Sequence, residues 1–285
     1  MKQQNVHYFP GHMQKALRLL ENYIKTVDLV VELVDARAPL SSRNPLLNDL
    51  IKGKARLLLL TKADTSDAKV TASWLEYFSS SNIPAIAGNL KKEKFVSILQ
   101  EASAPLVASK REKEKRYGMK KQPIRVMVIG IPNVGKSTLI NNLRGKKVAL
   151  VGNKAGVTRA EQWIKISDDF VLLDTPGILP MNYPTRDQAV RLALLGSMRE
   201  DVLPTEDLAE SLLSYLKERY PTCLKERFGI EDISDKNDHD ILQAIASRRL
   251  LMEGSALSNE KASYLLIKEF KDGLLGCLSL EEPPC

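Results

Sequence analysis

Three near-continuous apolar runs mark the first half of the chain: Asp28–Val34, Ala55–Leu60 and Ile124–Ile129. Runs of this kind, bounded by polar and turn-forming residues, predict strands buried on both faces, as in a parallel sheet. Ile83–Ala87 is a shorter strand of the same type. Between them the spacing changes to three and four residues. Ala16, Leu17, Leu20, Ile24 and Val27 place an amphipathic helix from Gln14 onward, and Asn44–Ile51, Trp74–Phe78 and Thr138–Leu143 predict further helices. Gln162–Ile166 and Phe170–Leu173 alternate around Asp168-Asp169, a hairpin pattern. Strands alternating with helices predict an α/β fold with a doubly wound, mostly parallel sheet. Beyond Arg186 the pattern is helical only, over Arg186–Arg199, Leu208–Tyr220, His239–Met252 and Lys261–Phe270. Residues 1–200 are thus expected to form one domain and 201–285 a small all-helical second one.

Charge sharpens this division. Residues 1–200 hold 32 Lys/Arg against 18 Asp/Glu, and residues 201–285 hold 10 against 17. The net charge of +7 therefore belongs to the first domain, where a basic surface favours polyanionic partners or is simply a solvated face. Within Lys110–Arg125, part of a basic linker over about 105–123, eight Lys/Arg accompany two Glu. Such a run reads either as a solvated helix or as a contact with a phosphate backbone. Three cysteines without metal-ligand spacing point to a reducing compartment. Met1–Val6 is polar and no apolar run approaches the length of a membrane span, so a soluble cytoplasmic protein without membrane contact is expected.

The chemistry concentrates at Gly130-Ile131-Pro132-Asn133-Val134-Gly135-Lys136-Ser137, between the strand Ile124–Ile129 and the helix from Thr138. This is the G-x-x-x-x-G-K-[ST] phosphate loop in its required strand–loop–helix context. Backbone N–H groups of Asn133, Val134, Gly135 and onward to Thr138 would cradle phosphates at a helix N-terminus. Lys136 adds a point charge on the β/γ oxygens, and the Ser137 hydroxyl reaches Mg²⁺. Gly152–Arg159 is polar, glycine-punctuated and basic, as expected of a loop over phosphates. Asp174-Thr175-Pro176-Gly177 follows an apolar strand, where Asp174 suits a water-mediated Mg²⁺ contact and the Gly177 N–H can sense a γ-phosphate.

Thr61-Lys62-Ala63-Asp64 resembles the guanine-recognition motif of GTPases, usually Asn-Lys-x-Asp. A carboxylate at Asp64 can accept from both N1–H and the exocyclic amino group of guanine, a donor pair that adenine lacks. Lys62 would pack its stem over the base. Thr61 replaces the usual asparagine and removes the amide that braces neighbouring loops in such proteins. This motif precedes the phosphate loop, whereas in an ordinary GTPase it comes last. Together with Phe9-Pro10-Gly11-His12-Met13, Val34-Asp35-Ala36-Arg37, Gly156-Val157-Thr158 and Asp174–Ile178, the order resembles the circularly permuted GTPases of the ribosome-assembly class.

That resemblance implies a P-loop GTPase fold in permuted order, followed by a helical domain that contacts ribosomal RNA. It implies GTP and GDP as ligands, the large ribosomal subunit and its rRNA as partners, and neither DNA nor membrane. GTP would be hydrolysed as a switch in late subunit assembly, with the particle as activator. The position that usually carries a water-orienting glutamine is Ile178, and the resemblance points to His12 as its catalytic replacement. Ser137 and Thr158 would hold Mg²⁺ directly and Asp174 through water, with Asn133 at the position that holds K⁺ in related GTPases. The loop after the third strand departs from the family pattern, leaving Gly88 as its base-contacting residue. Leu179–Asp187 departs from it as well. A GTP-dependent RNA-binding or scaffold protein with incidental hydrolysis is the alternative, and an ATP-using phosphotransferase a more distant one that Asp64 opposes.

Overall fold

The structure is a computed structural model that describes residues 18, 20–144, 163–173, 175, 177, 185–198 and 203–284. They divide into two compact units. One comprises the described residues up to 177 together with 281–284, and the other residues 185–280.

The first unit is built on a six-stranded sheet of β1 (Leu29–Asp35), β2 (Ala55–Thr61), β3 (Ala85–Gly88), β4 (Ile124–Gly130), β5 (Trp163–Lys165) and β6 (Phe170–Leu173). The spatial order is β3-β2-β1-β4-β6-β5, parallel throughout except for the β5–β6 pair at one edge. β1 is buried along its whole length, which explains its almost unbroken apolar sequence. Its exceptions are Glu32, 1% exposed, and Asp35 at its carboxyl end. On the face of Glu32, Val30 packs in a cluster with Leu20, Leu47, Met127 and Ile129, and Val34 in another with Leu58, Leu60, Trp74 and Phe78. Glu32 falls between the two and is neutralised by ion pairs with Arg43 and Arg56. A carboxylate in such a place is tolerable only when paired.

Helices α1 (Pro45–Leu50) and α2 (Ala68–Ser80) cover this face. Each starts on a side-chain cap: the Asn44 carboxamide oxygen accepts from Leu46 N at 3.1 Å, and the Asp67 carboxylate from Lys69 N at 2.8 Å. On the opposite face Leu99 of α3 (Phe95–Ser103) and Leu143 of α5 (Lys136–Arg144) meet Val126 and Leu172. Between α3 and β4 lies α4 (Ala108–Arg116), so the basic stretch expected as a linker is in large part a helix.

From β1 the chain winds outward to β3, and from β4 it winds outward the other way to β6. The two starting strands pair at the centre, Leu29 opposite Val126 and Leu33 opposite Gly130. An open α/β sheet leaves a crevice at the carboxyl ends of its strands at such a switch point. Both segments singled out for nucleotide chemistry, after β2 and after β4, open into it.

The second unit contains α6 (Arg186–Leu194), α7 (Thr205–Arg219), α8 (Leu224–Phe228), α9 (Asp238–Arg249) and α10 (Asn259–Asp272), with a small hairpin of β7 (Met252–Glu253) and β8 (Ala256–Leu257). α9 stops before the predicted Met252 because Leu250 adopts a left-handed φ of 52°. α6 lies in this unit although the change in charge falls later, at 201. Among the described residues no helix is long and apolar enough to cross a membrane. The chain then returns to the first unit at Glu281. Its carboxylate accepts from Leu40 N, Ser41 N and Ser41 Oγ at 2.8–3.1 Å, and its backbone carbonyl accepts from Trp74 Nε1 at 3.1 Å.

Candidate functional site

The phosphate loop makes a tight turn between β4 and α5, and its two outer glycines meet steric demands. At Gly130, φ is 156° and a Cβ would stand 2.8 Å from the Leu33 carbonyl oxygen. At Gly135, φ is 111° and a Cβ would lie 3.3 Å from Leu90 Cδ1. Asn133 also has a left-handed φ, 57°, a conformation to which its short polar side chain is suited. Lys136 is 8% exposed and its ammonium donates to the carbonyls of Gly130 and Ile131 at 3.1 and 2.6 Å. Val134 is buried, while Gly135, Ser137 and Thr138 are half-buried around the start of α5.

Thr61, at the carboxyl end of β2, is completely buried. Its hydroxyl lies 2.7 Å from the Val134 carbonyl oxygen and 3.0 Å from that of Val34, donating to either. The brace expected to be missing with asparagine is therefore supplied by a shorter side chain. Beyond Thr61 the chain bends into a 3₁₀ turn, Ala63–Thr65, with Lys62 in the left-handed region at φ 57° and Asp64 exposed. Lys62 Nζ is 2.8 Å from Asp35 Oδ2.

Asp35, 1% exposed at the end of β1, also receives Arg37 in bidentate fashion. Arg37 Nε donates to Oδ1 and a terminal guanidinium nitrogen to Oδ2, both at 2.9 Å. Burial pushes the Asp35 carboxyl up, but Arg37 and Lys62 outweigh it and hold it well below the usual carboxylate range. Burial likewise pulls the Lys62 ammonium down from its ordinary value, with Asp35 opposing. The Val34–Arg37 segment thus fixes the direction of the Lys62 stem, a role the sequence left unassigned.

Gly88, at the end of β3, pairs in register with Thr61. A Cβ there would collide with Phe95 at 2.5 Å. The loop that follows is held by Asn142 of α5. The carboxamide nitrogen of Asn142 donates to the Leu90 and Glu93 carbonyls at 2.8 and 2.6 Å, and its oxygen accepts from Phe95 N at 3.0 Å. Asn142 carries no motif and was missed. Its helical position, one turn beyond the phosphate loop, was the available signal. Gly177 approaches the phosphate loop directly, since a Cβ on it would lie 2.9 Å from Lys136 Nζ and from the Pro132 backbone. Thr175 beside it donates its hydroxyl to the Val128 carbonyl.

The crevice therefore brings together Asn133–Thr138, Thr61–Asp64, Gly88 and Gly177. His12, Thr158 and Asp174 lie outside the described residues.

Residues 125–226 match the family model described as 50S ribosome-binding GTPase. Ribosome biogenesis GTPase A of Bacillus licheniformis is 39% identical over 278 residues, covering 98% of both chains. The chain belongs to the ribosome biogenesis GTPase A family. The family member from Thermotoga maritima is 32% identical over 276 residues, or 97% of this chain and 94% of that one. Among solved structures, GNP-bound YlqF from T. maritima superimposes with a TM-score of 0.65 at 27% identity, covering 94% of this chain and 98% of that one. GDP-bound TM YlqF gives 0.66 at 26%, over 93% and 99%.

As a member of this family the chain is a GTPase, an enzyme that binds GTP and hydrolyses it. GTPases generally use Mg²⁺, clamped between protein hydroxyls and the β and γ phosphates. The described donors fit that use. Ser137 stands half-buried at the start of α5, where its hydroxyl would hold Mg²⁺, an ion that is usually bound through few protein ligands together with substrate phosphates and water.

Proposed function

We propose that this GTPase acts as a nucleotide switch in late assembly of the large ribosomal subunit, in the cytoplasm, and that the ribosomal particle and its rRNA activate it. Relatives named ribosome biogenesis GTPase A, and a family model named for 50S binding, support the destination. The observation that carries the switch is the approach of Gly177 to Lys136 and Pro132. A segment placed to register the γ-phosphate continues in the chain into the helical unit, so loss of that phosphate alters the tether of a whole unit.

In this reading Asn133–Thr138 and Thr158 cradle the phosphates, with Lys136 neutralising charge between the β and γ groups. Thr61, Lys62, Ala63, Asp64 and Gly88 surround the base, and Asp64 selects guanine. Bound Mg²⁺ would neutralise charge on the phosphates, held by Ser137 and Thr158 and, through water, by Asp174. Asn133 would hold K⁺ beside them. His12 orients the attacking water in place of the absent glutamine, one ring nitrogen accepting while the other donates.

The test is GTP hydrolysis in K⁺ and in Na⁺ buffer, with and without large ribosomal subunits, for wild type and His12→Ala. Stimulation by particles and by K⁺, lost in the variant with GTP binding retained, is the expected result. Absence of stimulation would favour a GTP-dependent scaffold. Stimulation unchanged by His12→Ala would remove that residue from the mechanism.

A further inference from the structure

The loop between α4 and β4 is exposed from Lys115 to Gln122, yet it is firmly held. Its anchor is Glu114, in the last turn of α4 and 6% exposed. The Glu114 carbonyl accepts from Met119 N at 2.9 Å, and its carboxylate accepts from Gln122 N at 3.2 Å and from the Arg111 guanidinium at 2.8 Å. Arg111 donates in turn to the Gln122 carbonyl at 2.7 Å. The hydrogen bond from Arg111 keeps the Glu114 carboxyl below its usual range, so the anchor stays ionised. Below it, Lys110 Nζ and the Arg125 N–H both donate to the Asp28 carboxylate, at 2.7 and 2.8 Å, and fasten α4 to the amino ends of β1 and β4.

What this framework presents to solvent is unusual. Tyr117 is 69% exposed and Met119 57%, two large apolar side chains on a loop whose backbone is pinned. Around them stand exposed Lys113, Lys115, Arg116 and Lys120, and the Arg116 guanidinium lies over the Tyr117 ring at 5.9 Å. Of the acidic groups nearby, Asp28 and Glu114 are already engaged and Asp169 pairs with Lys121, while the exposed Glu112 of α4 is outnumbered by the four cations. A cleft of about 670 Å³ runs beside the loop, lined by Tyr117, Met119, Lys113, Pro123 and Val171 among others. An aromatic face held in solvent within a ring of cations is the arrangement that stacks an unpaired base while neutralising its backbone.

We infer that the Tyr117–Lys120 loop is a binding site for single-stranded RNA, with one unpaired base stacked on Tyr117 and the flanking phosphates met by Lys113, Arg116 and Lys120. This rests on the proposed function in assuming that RNA is a partner, and it names the surface. The surface lies at the amino ends of the strands, whereas the nucleotide crevice is at their carboxyl ends. RNA can therefore be gripped while GTP is bound. The helical unit is a weaker candidate for this contact, being net acidic, and its Arg249 is already within 3.8 Å of Glu269 and over the Phe228 ring.

The test is fluorescence anisotropy of the full chain with a labelled mixed-sequence RNA oligonucleotide, single-stranded or annealed to its complement. Tyr117→Ala is expected to weaken single-strand binding about tenfold and leave duplex binding unchanged, while Tyr117→Phe binds as wild type. Lys113→Gln with Lys120→Gln is expected to weaken both and to lower the salt-dependence slope by about 1–2. Equal affinity of Tyr117→Ala and wild type for the single strand would overturn the site. So would loss in Tyr117→Phe as large as in Tyr117→Ala. Subunit-stimulated hydrolysis of the wild type, measured alongside, separates the two readings: its absence removes the ribosomal partner but leaves an intact oligonucleotide result standing.

Discussion

The hydroxyl of Thr61 stands 2.7 Å from the carbonyl oxygen of Val134, in a place from which water is excluded. One hydrogen bond thus joins the carboxyl end of β2 to the phosphate loop across 73 residues of sequence. Replacing Thr61 by Val keeps the shape and removes the one hydroxyl proton that the buried Val134 and Val34 carbonyl oxygens share, at a cost of roughly 1–3 kcal/mol. Urea unfolding should report that loss, and a GTP titration a lower affinity, while Thr61→Ser retains most of both. A Val variant as stable as wild type would mean that the brace contributes nothing.

Asp35→Asn leaves Arg37, itself 1% exposed, without its bidentate acceptor. Breaking a buried pair on one side costs roughly 3–5 kcal/mol. The pH dependence has a definite sign. The folded carboxyl is held below its unfolded value, so its contribution is present above about pH 3.9 and declines as pH falls below that. Stability measured from pH 6 down to pH 3 should therefore fall less steeply in the variant than in wild type.

Gly177→Ala forces a methyl group to 2.9 Å from the Lys136 ammonium and the Pro132 backbone. Relief requires the phosphate loop or the Gly177 segment to shift, an overpacking cost of about 1–3 kcal/mol. We expect GTP hydrolysis to fall about tenfold or more, since each 1.4 kcal/mol is a factor of ten, with GDP binding changed far less. Comparable losses for the two nucleotides would show that Gly177 shapes the loop without distinguishing γ-phosphate.

Asn142→Ala removes three hydrogen bonds that hold the loop after β3 against α5. Amide exchange over residues 89–94 should accelerate, and GTP should weaken by several-fold, the loss following from roughly 1 kcal/mol per bond shared between folding and binding. Unchanged exchange in that segment would count against Asn142 as its anchor.

Much of the fold was legible because burial on both faces leaves a plain record. β1, β2 and β4 appear as apolar runs, and the phosphate loop is announced by glycines that the turn sterically requires. The carboxyl-end crevice follows once those strands are paired. Side-chain chemistry across long sequence distances was not legible in the same way. Thr61 looked like a lost amide until Val134 was placed beside its hydroxyl. Glu32 breaks an apolar strand, and only folding brings Arg43 and Arg56 to it. Asn142 has no motif because its partners are backbone atoms, which any sequence supplies. α4 gave only charge without an apolar face, so nothing in its own pattern revealed that Asp28 holds it or that its Glu114 anchors the loop beyond.

The return of the chain at Glu281 makes the helical unit an insert with two stems. Trp74, at the heart of α2, finds the acceptor for its indole N–H 207 residues further along the chain. During synthesis, the loop at Leu40–Ser41 and the Trp74 indole cannot reach their final partners until residues 184–280 have already been translated. The GTPase unit consequently cannot complete these contacts until the helical unit has been made.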